Sequence, residues 1–146
     1  MSNVASAVSV VTTFDDGVPH GTTVSAFMSL SMDPPMLLVS LDARSSLLTR
    51  VRPGSRLGVN VLADDQGAIA TRFATKGGDR FAEVSWHSED GAPALHARHA
   101  WVAVDVDRLV PAGDHVLALA HVRAADVASY PTRPLTYWRR TFGTHA

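Results

Sequence analysis

Cysteine is absent from the 146 residues, which excludes disulfides and thiolate metal sites and agrees with a reducing compartment. Charge is scarce as well: 18% of residues are charged and the formal net charge is -1. No basic stripe of the kind that grips a phosphate backbone is available, so nucleic acid is excluded as a partner. No apolar run approaches the ~20 residues that a membrane-spanning helix takes. The opening MSNVASAVSVVTT has neither the basic flank nor the cleavage pattern of a signal peptide. These absences lead to the expectation of a cytoplasmic chain with no membrane partner. Nucleophile elbows, GxGxxG turns, Walker loops and HExxH helices are missing too, which removes most motif-defined enzymes.

What is present is a hydrophobic share of 46% broken at short intervals by turn-formers. Asp15-Asp16-Gly17, Asp33-Pro34-Pro35, Pro53-Gly54, Gly77-Gly78-Asp79 and Pro111-Ala112-Gly113 separate strand-length runs rich in Val, Leu and aromatics. The runs are Ala7–Thr13, Met36–Leu41, Leu57–Leu62, Ala100–Val106, Val116–Val122 and Leu135–Thr141. Trp101, Ala103 and Asp105 alternate with Val102, Val104 and Val106, which predicts one face in the core and the other toward solvent or a partner. Two stretches depart from the β pattern. In ARSSLLTRVRPG a serine is expected to cap a short helix burying Leu47, Leu48 and Val51. In DDQGAIATRFAT, Asp64 or Asp65 is expected to cap another, with Ile69, Ala70, Phe73 and Ala74 inward. One domain over residues 1–146, a closed or nearly closed barrel carrying two short helices, is the expected outline.

Several stretches carry chemistry. His96 and His99 have the spacing of one helical turn but no carboxylate at ligand spacing, so a solvated surface is the better reading than a metal site. In HGTTVSAFMSLSMDPP the hydroxyls of Thr22, Thr23, Ser25, Ser29 and Ser31 suit a flat, polar-edged cofactor approaching the backbone; equally, they suit the wet face of an antiparallel strand. Ser45 and Ser46, where a strand runs into a helix start, offer a place for a phosphate. In PAGDHVLALAHV an acid and an imidazole, Asp114 and His115, stand side by side where a strand begins to bury itself.

The order of segments adds a further observation: VSVVTT, GVPHGTTVSAFMSLSMDPPMLLVSL, GVNVLADDQGAIATRFA, RFAEVSWH, GAPAL, AGDH and PLTYWRRTF. From about Ala7 to Phe142 this order resembles the flavin reductase-like, FMN-binding split-barrel family. The likeness is to its short-chain NAD(P)H:flavin oxidoreductases, the reductase components of two-component flavin monooxygenases. The resemblance implies a homodimeric, mainly β, six-stranded Greek-key split barrel with two or three short helices and a flavin groove near the dimer interface. It implies that FMN or FAD is reduced by NADH or NADPH, and that reduced flavin diffuses to a partner flavin-dependent monooxygenase. By matching position, Thr23, Val24, Ser25 and Ala26 would run along the isoalloxazine edge, and Ser40 and Asp42 beside the ribityl chain. Ser45, Ser46 and Lys76 would lie near the phosphate, Tyr137 would border the pocket, and His115 would face the nicotinamide side as the catalytic residue. Hydride passes directly from nicotinamide C4 to flavin N5, so alignment of two rings is what the protein would supply.

The chain departs from the family pattern in places. Thr23-Val24-Ser25-Ala26 stands where many relatives have Thr-x-Asn-Ser, which shifts one contact to backbone N–H groups. Asp42 replaces a frequent asparagine, and an acid there discourages a nearby phosphate. The short leading helix of relatives is expected to be missing. A barrel that binds flavin without turning over nicotinamide, and a barrel serving interaction alone, remain as other readings.

Overall fold

The computed structural model describes residues 1–145. In chain order the strands are β1 (Ser6–Ala7), β2 (Ser9–Asp15), β3 (Val18–Val24), β4 (Phe27–Met32), β5 (Pro35–Asp42), β6 (Arg56–Val61), β7 (Trp86–Glu89), β8 (Ala92–Leu95), β9 (Ala100–Ala112), β10 (His115–Val127), β11 (Leu135–Trp138) and β12 (Thr141–Thr144). One α-helix, α1 (Gly67–Ala74), and a 3-10 turn at Leu48–Arg50 complete them. All pairings are antiparallel, and the main sheet has seven strands in the order β3-β2-β6-β9-β10-β5-β4. Its two edge strands are consecutive in the chain, so the short link Ser25-Ala26 pulls the edges together. The Ala26 carbonyl accepts the Ser40 N–H at 2.8 Å, extending the β4–β5 ladder by one step into that link.

Turn chemistry sets the registers. Asp16 and Gly17 both have positive φ (51° and 76°), the primed turn whose twist matches a hairpin, and β2 and β3 pair from Asp15 opposite Val18 to Ser9 opposite Val24. Gly113 takes positive φ between β9 and β10, placing His115 opposite Ala112 on one side and Asp42 on the other. Val11, Val39, Leu41, Leu57, Val59 and Val104 fill the barrel. A second cluster under α1 holds Phe73 and Phe81 edge to face, 4.9 Å between centroids, against Leu62, Leu95 and Leu135. Full burial of a side chain such as Phe73 contributes roughly 2–3 kcal/mol.

The mainly β split barrel expected from the sequence is present, but its main sheet has seven strands rather than six, residues 18–32 being divided at Ser25-Ala26 into the two edge strands β3 and β4. In the run Ala100–Val106 both faces carry buried residues, Trp101 and Ala103 on one and Val104 and Val106 on the other, because Ala92 and Ala94 of the β7–β8 hairpin pack on Trp101 and Ala103, while Asp105 stays half-buried. The serine-capped helix is a single 3-10 turn: Leu47 holds the cap position, and Ser45 Oγ accepts the Leu47 N–H at 3.3 Å. At α1 the cap position is Gln66 rather than Asp64 or Asp65, which stay exposed. Buried Gln66 accepts the Ala63 N–H at 3.0 Å and donates to the His96 carbonyl at 2.9 Å, two bonds no exposed acid makes here. Ala70 and Phe73 of α1 turn inward while Ala74 is exposed. Leu135–Thr141 splits into β11 and β12 around a turn at Arg139-Arg140.

Candidate functional site

The groove is built where the sheet edges meet. Phe73 lies over Gly21, where a Cβ would come within 3.1 Å of its ring, so glycine lets α1 sit directly on β3. The Thr23 hydroxyl fastens the two by donating to the Ala70 carbonyl at 2.6 Å. A cavity at this junction is lined by Thr22 through Ala26 from the β3–β4 link, by Ser40 and Asp42 from the end of β5, and by Ser45 and His115. Thr22, Asp42 and Ser45 also wall an adjoining cavity that contains Ser46, Lys76 and Arg80. Thr23 and Ser25 likewise open on a third, bordered by Tyr137, Arg140 and Phe142. Every residue expected at the site from sequence therefore lies on one connected groove.

The side-chain hydroxyls of Thr22, Ser25, Ser40 and Ser46 make no protein hydrogen bond among the described residues. Lys76 is exposed beside Gly77, whose φ of 83° turns the chain around the end of α1. Asp42 does not stand as a bare acid. Its Oδ1 accepts the Arg44 backbone N–H at 2.8 Å, and the Arg44 guanidinium reaches Oδ1 at 3.2 Å and Oδ2 at 3.1 Å. Those bonds push its carboxyl down to about 2. The expected repulsion of a phosphate is accordingly offset by a fixed cation at the same place.

His115 Nδ1 lies 2.8 Å from Asp114 Oδ1, and that bond holds the Asp114 carboxyl below its ordinary range. An ionised carboxylate only accepts, so Nδ1 carries the hydrogen and Nε2 is the ring nitrogen left for a ligand. Asp114 thus sets ring orientation and tautomer, which answers why the two residues are neighbours. His96 and His99, by contrast, are not on one helical turn. His96 Nδ1 meets Ser85 Oγ at 2.8 Å and His99 Nδ1 meets Thr132 Oγ1 at 2.6 Å.

The family model described as flavin reductase like domain matches residues 1–146. The chain belongs to that family. It is similar to the reductase component of a 4-nitrophenol 4-monooxygenase/4-nitrocatechol 2-monooxygenase from Rhodococcus opacus, 36% identical over 98% of this chain and 76% of that protein. It is similar also to an NADH:riboflavin 5'-phosphate oxidoreductase from Streptomyces pristinaespiralis, 37% identical over 99% of this chain and 84% of that one. Among solved structures, an NADH:FAD oxidoreductase from Streptomyces globisporus, in complex with NAD and FAD fragments, superposes with a TM-score of 0.90. It is 27% identical, covering 99% of this chain and 88% of that chain. The chain spans less than half the length, 45% and 39%, of two further curated relatives.

Within this flavin reductase-like groove, sequence reasoning missed Arg140 and Phe142, which reach it from the β11–β12 hairpin. Two arginines carry no turn signal, so nothing in the sequence announced the hairpin. Of the other arginines, Arg44 is held by Asp42 and Arg50 by Asp15 at 3.4 Å. Arg72 and Arg80 donate to backbone carbonyls, Arg80 to Thr75 at 2.9 Å and Gly21 at 2.8 Å. No helix among the described residues is long and apolar enough to cross a membrane.

Proposed function

We propose that this chain is an NAD(P)H-dependent flavin reductase that binds FMN or FAD in the groove and supplies reduced flavin to a separate monooxygenase. The observation that carries the reading is the row of hydroxyls without protein partners at Thr22, Ser25, Ser40 and Ser46, continuous with Lys76 and flanked by His115. Thr22 and Ser40 are half-buried and Ser25 and Ser46 exposed; a half-buried hydroxyl without a protein partner keeps its donor and acceptor for a ligand, and the two exposed ones extend that row along the groove. The donor set fits a flavin: hydroxyl and backbone groups for a polar ring edge and ribityl chain, and a cation beside Ser45 and Ser46 for a phosphate. When bound, a flavin supplies the hydride-accepting ring.

The chain's own residues do the rest. Thr23 through Ala26 present the edge of β3 to the ring, Ser40 and Asp42 line the ribityl path, and Tyr137 closes one side. Lys76 with Ser45 and Ser46 holds the phosphate. His115, oriented by Asp114, presents Nε2 to the second substrate and places it against the first; a fixed pair of partners removes much of the entropy of their encounter. The protein works as a homodimer in this reading, supported by Met28, Leu30 and Met32 on edge strand β4, which are 57%, 41% and 84% exposed. It works in the cytoplasm, where pyridine nucleotides are recycled.

The test follows the absorbance of NADH and NADPH with purified protein and added riboflavin, FMN or FAD. Flavin-dependent oxidation of the nucleotide is the expected result. None with any flavin sinks the reading.

A further inference from the structure

The β11–β12 connection is a two-residue turn, Trp138 opposite Thr141, with Arg139 at φ 49° and Arg140 at φ 62°. Primed turns of this kind favour Asn and Gly, since other side chains in the left-handed region crowd their own backbone. Two consecutive arginines here are a local rule broken at the mouth of a groove, where strain points to use. The two are not equivalent. Arg139 is tied down: its N–H donates to the Ser2 carbonyl at 2.8 Å, its Nε to Asn3 Oδ1 at 3.0 Å, and its guanidinium lies 4.6 Å from the Trp138 ring centre. Arg140 has no hydrogen bond or ion pair among the described residues and borders a cavity of about 420 Å³ with Tyr137, Phe142, Thr23 and Ser25.

An unpaired cation beside a binding groove asks for an anion. The flavin's own phosphate belongs, in the reading above, with Ser45, Ser46 and Lys76, and Lys76 does not wall this cavity. The reaction has another anionic reactant, the dihydronicotinamide dinucleotide. We propose that Arg140 holds the diphosphate of that dinucleotide, and that the left-handed turn is kept because it aims the guanidinium into the groove. The proposal rests on the flavin reductase reading and adds to it the residue that grips the second substrate. Because NADH and NADPH share the diphosphate, the contact serves both.

The experiment uses the full chain and the variant Arg140→Gly, with ADP-ribose as a probe that carries the diphosphate but no nicotinamide. Calorimetric titration of the FMN-loaded protein should show ADP-ribose binding weakened about tenfold, the loss of a charge-assisted contact. KM for NADH and NADPH should rise together by a similar factor. The Kd for FMN should stay put, and Tm should hold or rise, since glycine takes this φ freely. Arg140→Lys should recover part of the affinity. Unchanged ADP-ribose binding overturns the proposal, as does failure of the parent chain to bind it while FMN binds. A loss confined to NADPH assigns Arg140 to the 2′-phosphate instead, and a loss of FMN relative to riboflavin assigns it to the flavin phosphate; either overturns it. A fall in Tm with equal weakening of every ligand makes the residue structural. If no flavin binds at all, the reading of function falls with it.

Discussion

Two stretches of the barrel carry nearly the same polar side chains in opposite circumstances. In the wall formed by β2 and β6, Ser9, Thr12 and Asn60 are wholly buried. The Ser9 hydroxyl donates to the Val24 carbonyl at 2.8 Å, Thr12 to the Pro93 carbonyl at 2.6 Å, and Asn60 Oδ1 accepts the Leu95 N–H at 2.8 Å. At the groove, a strand or two away, Thr22, Ser25, Ser40 and Ser46 are half-buried or exposed and lack such partners. Hydroxyls in the wall are consumed in joining β2 to its neighbours; those at the groove keep their capacity. Satisfied polar groups inside a low-dielectric core specify one packing, whereas unsatisfied ones at a surface are available for recognition. The same residue types therefore serve stability in one place and binding in the other, and the division can be broken experimentally.

The largest effect is expected in the wall at Gly58. A Cβ there would stand 2.3 Å from Trp101 Cη2 and 2.7 Å from Thr12 Oγ1. Trp101 is buried and its Nε1 donates to Asp90 Oδ2 at 2.9 Å, so it has nowhere to retreat. Gly58→Ala should cost about 3 kcal/mol, the upper range for forcing atoms into a packed core, measured by urea unfolding. A loss under about 0.5 kcal/mol, within the range of surface changes, would mean the wall is not close-packed at this point. Thr12→Val comes next. It keeps the shape but strips the Pro93 carbonyl of its hydroxyl partner, for about 1–2 kcal/mol.

How much of this contrast the sequence disclosed depends on the range of the forces involved. The Asp16-Gly17 and Gly113 turns were readable because one or two residues decide a left-handed turn. The groove residues from Thr23 to His115 were readable because their segments keep a recognisable order, and the structure gathers them on one groove. The wall was not readable as a wall: Trp101 and Ala103 look half-exposed by alternation until the β7–β8 hairpin just before them in the chain folds over them. The Ser45 helix failed for the opposite reason, since a serine cap signal is local but the following residues are drawn into packing Leu47 and Val51 after a single turn. Arg139-Arg140 broke the local rule altogether, and no pattern of apolar residues marks a turn that violates turn chemistry.

At the groove the order of effects should reverse. Ser25→Ala removes a hydroxyl with no protein partner, so unfolding stability should stay within about 0.5 kcal/mol of the parent. Flavin affinity, read by fluorescence titration, should fall about tenfold if that hydroxyl bonds the ligand. Destabilisation as large as that of Thr12→Val, with flavin affinity intact, would erase the distinction between the two regions.

The smallest effect lies at His20, on β3 between the two regions, where burial first and the nearby Arg50 charge second lower the imidazole's proton affinity while Asp15 works against them. A histidine whose folded value is depressed is held neutral by the fold, so the unfolded chain takes up a proton that the native chain refuses. Stability is then unaffected above the ordinary value of about 6.5 and declines as pH falls through it, levelling once native His20 also protonates. His20→Gln cannot titrate, and the difference in Tm between parent and variant should be flat from pH 8 to about pH 7 and shift in the variant's favour below about 6.5. A difference that shifts toward the parent on acidification would mean that Asp15 dominates and that His20 gains a proton on folding. That would place it with the groove's charged residues instead of the wall's neutral ones.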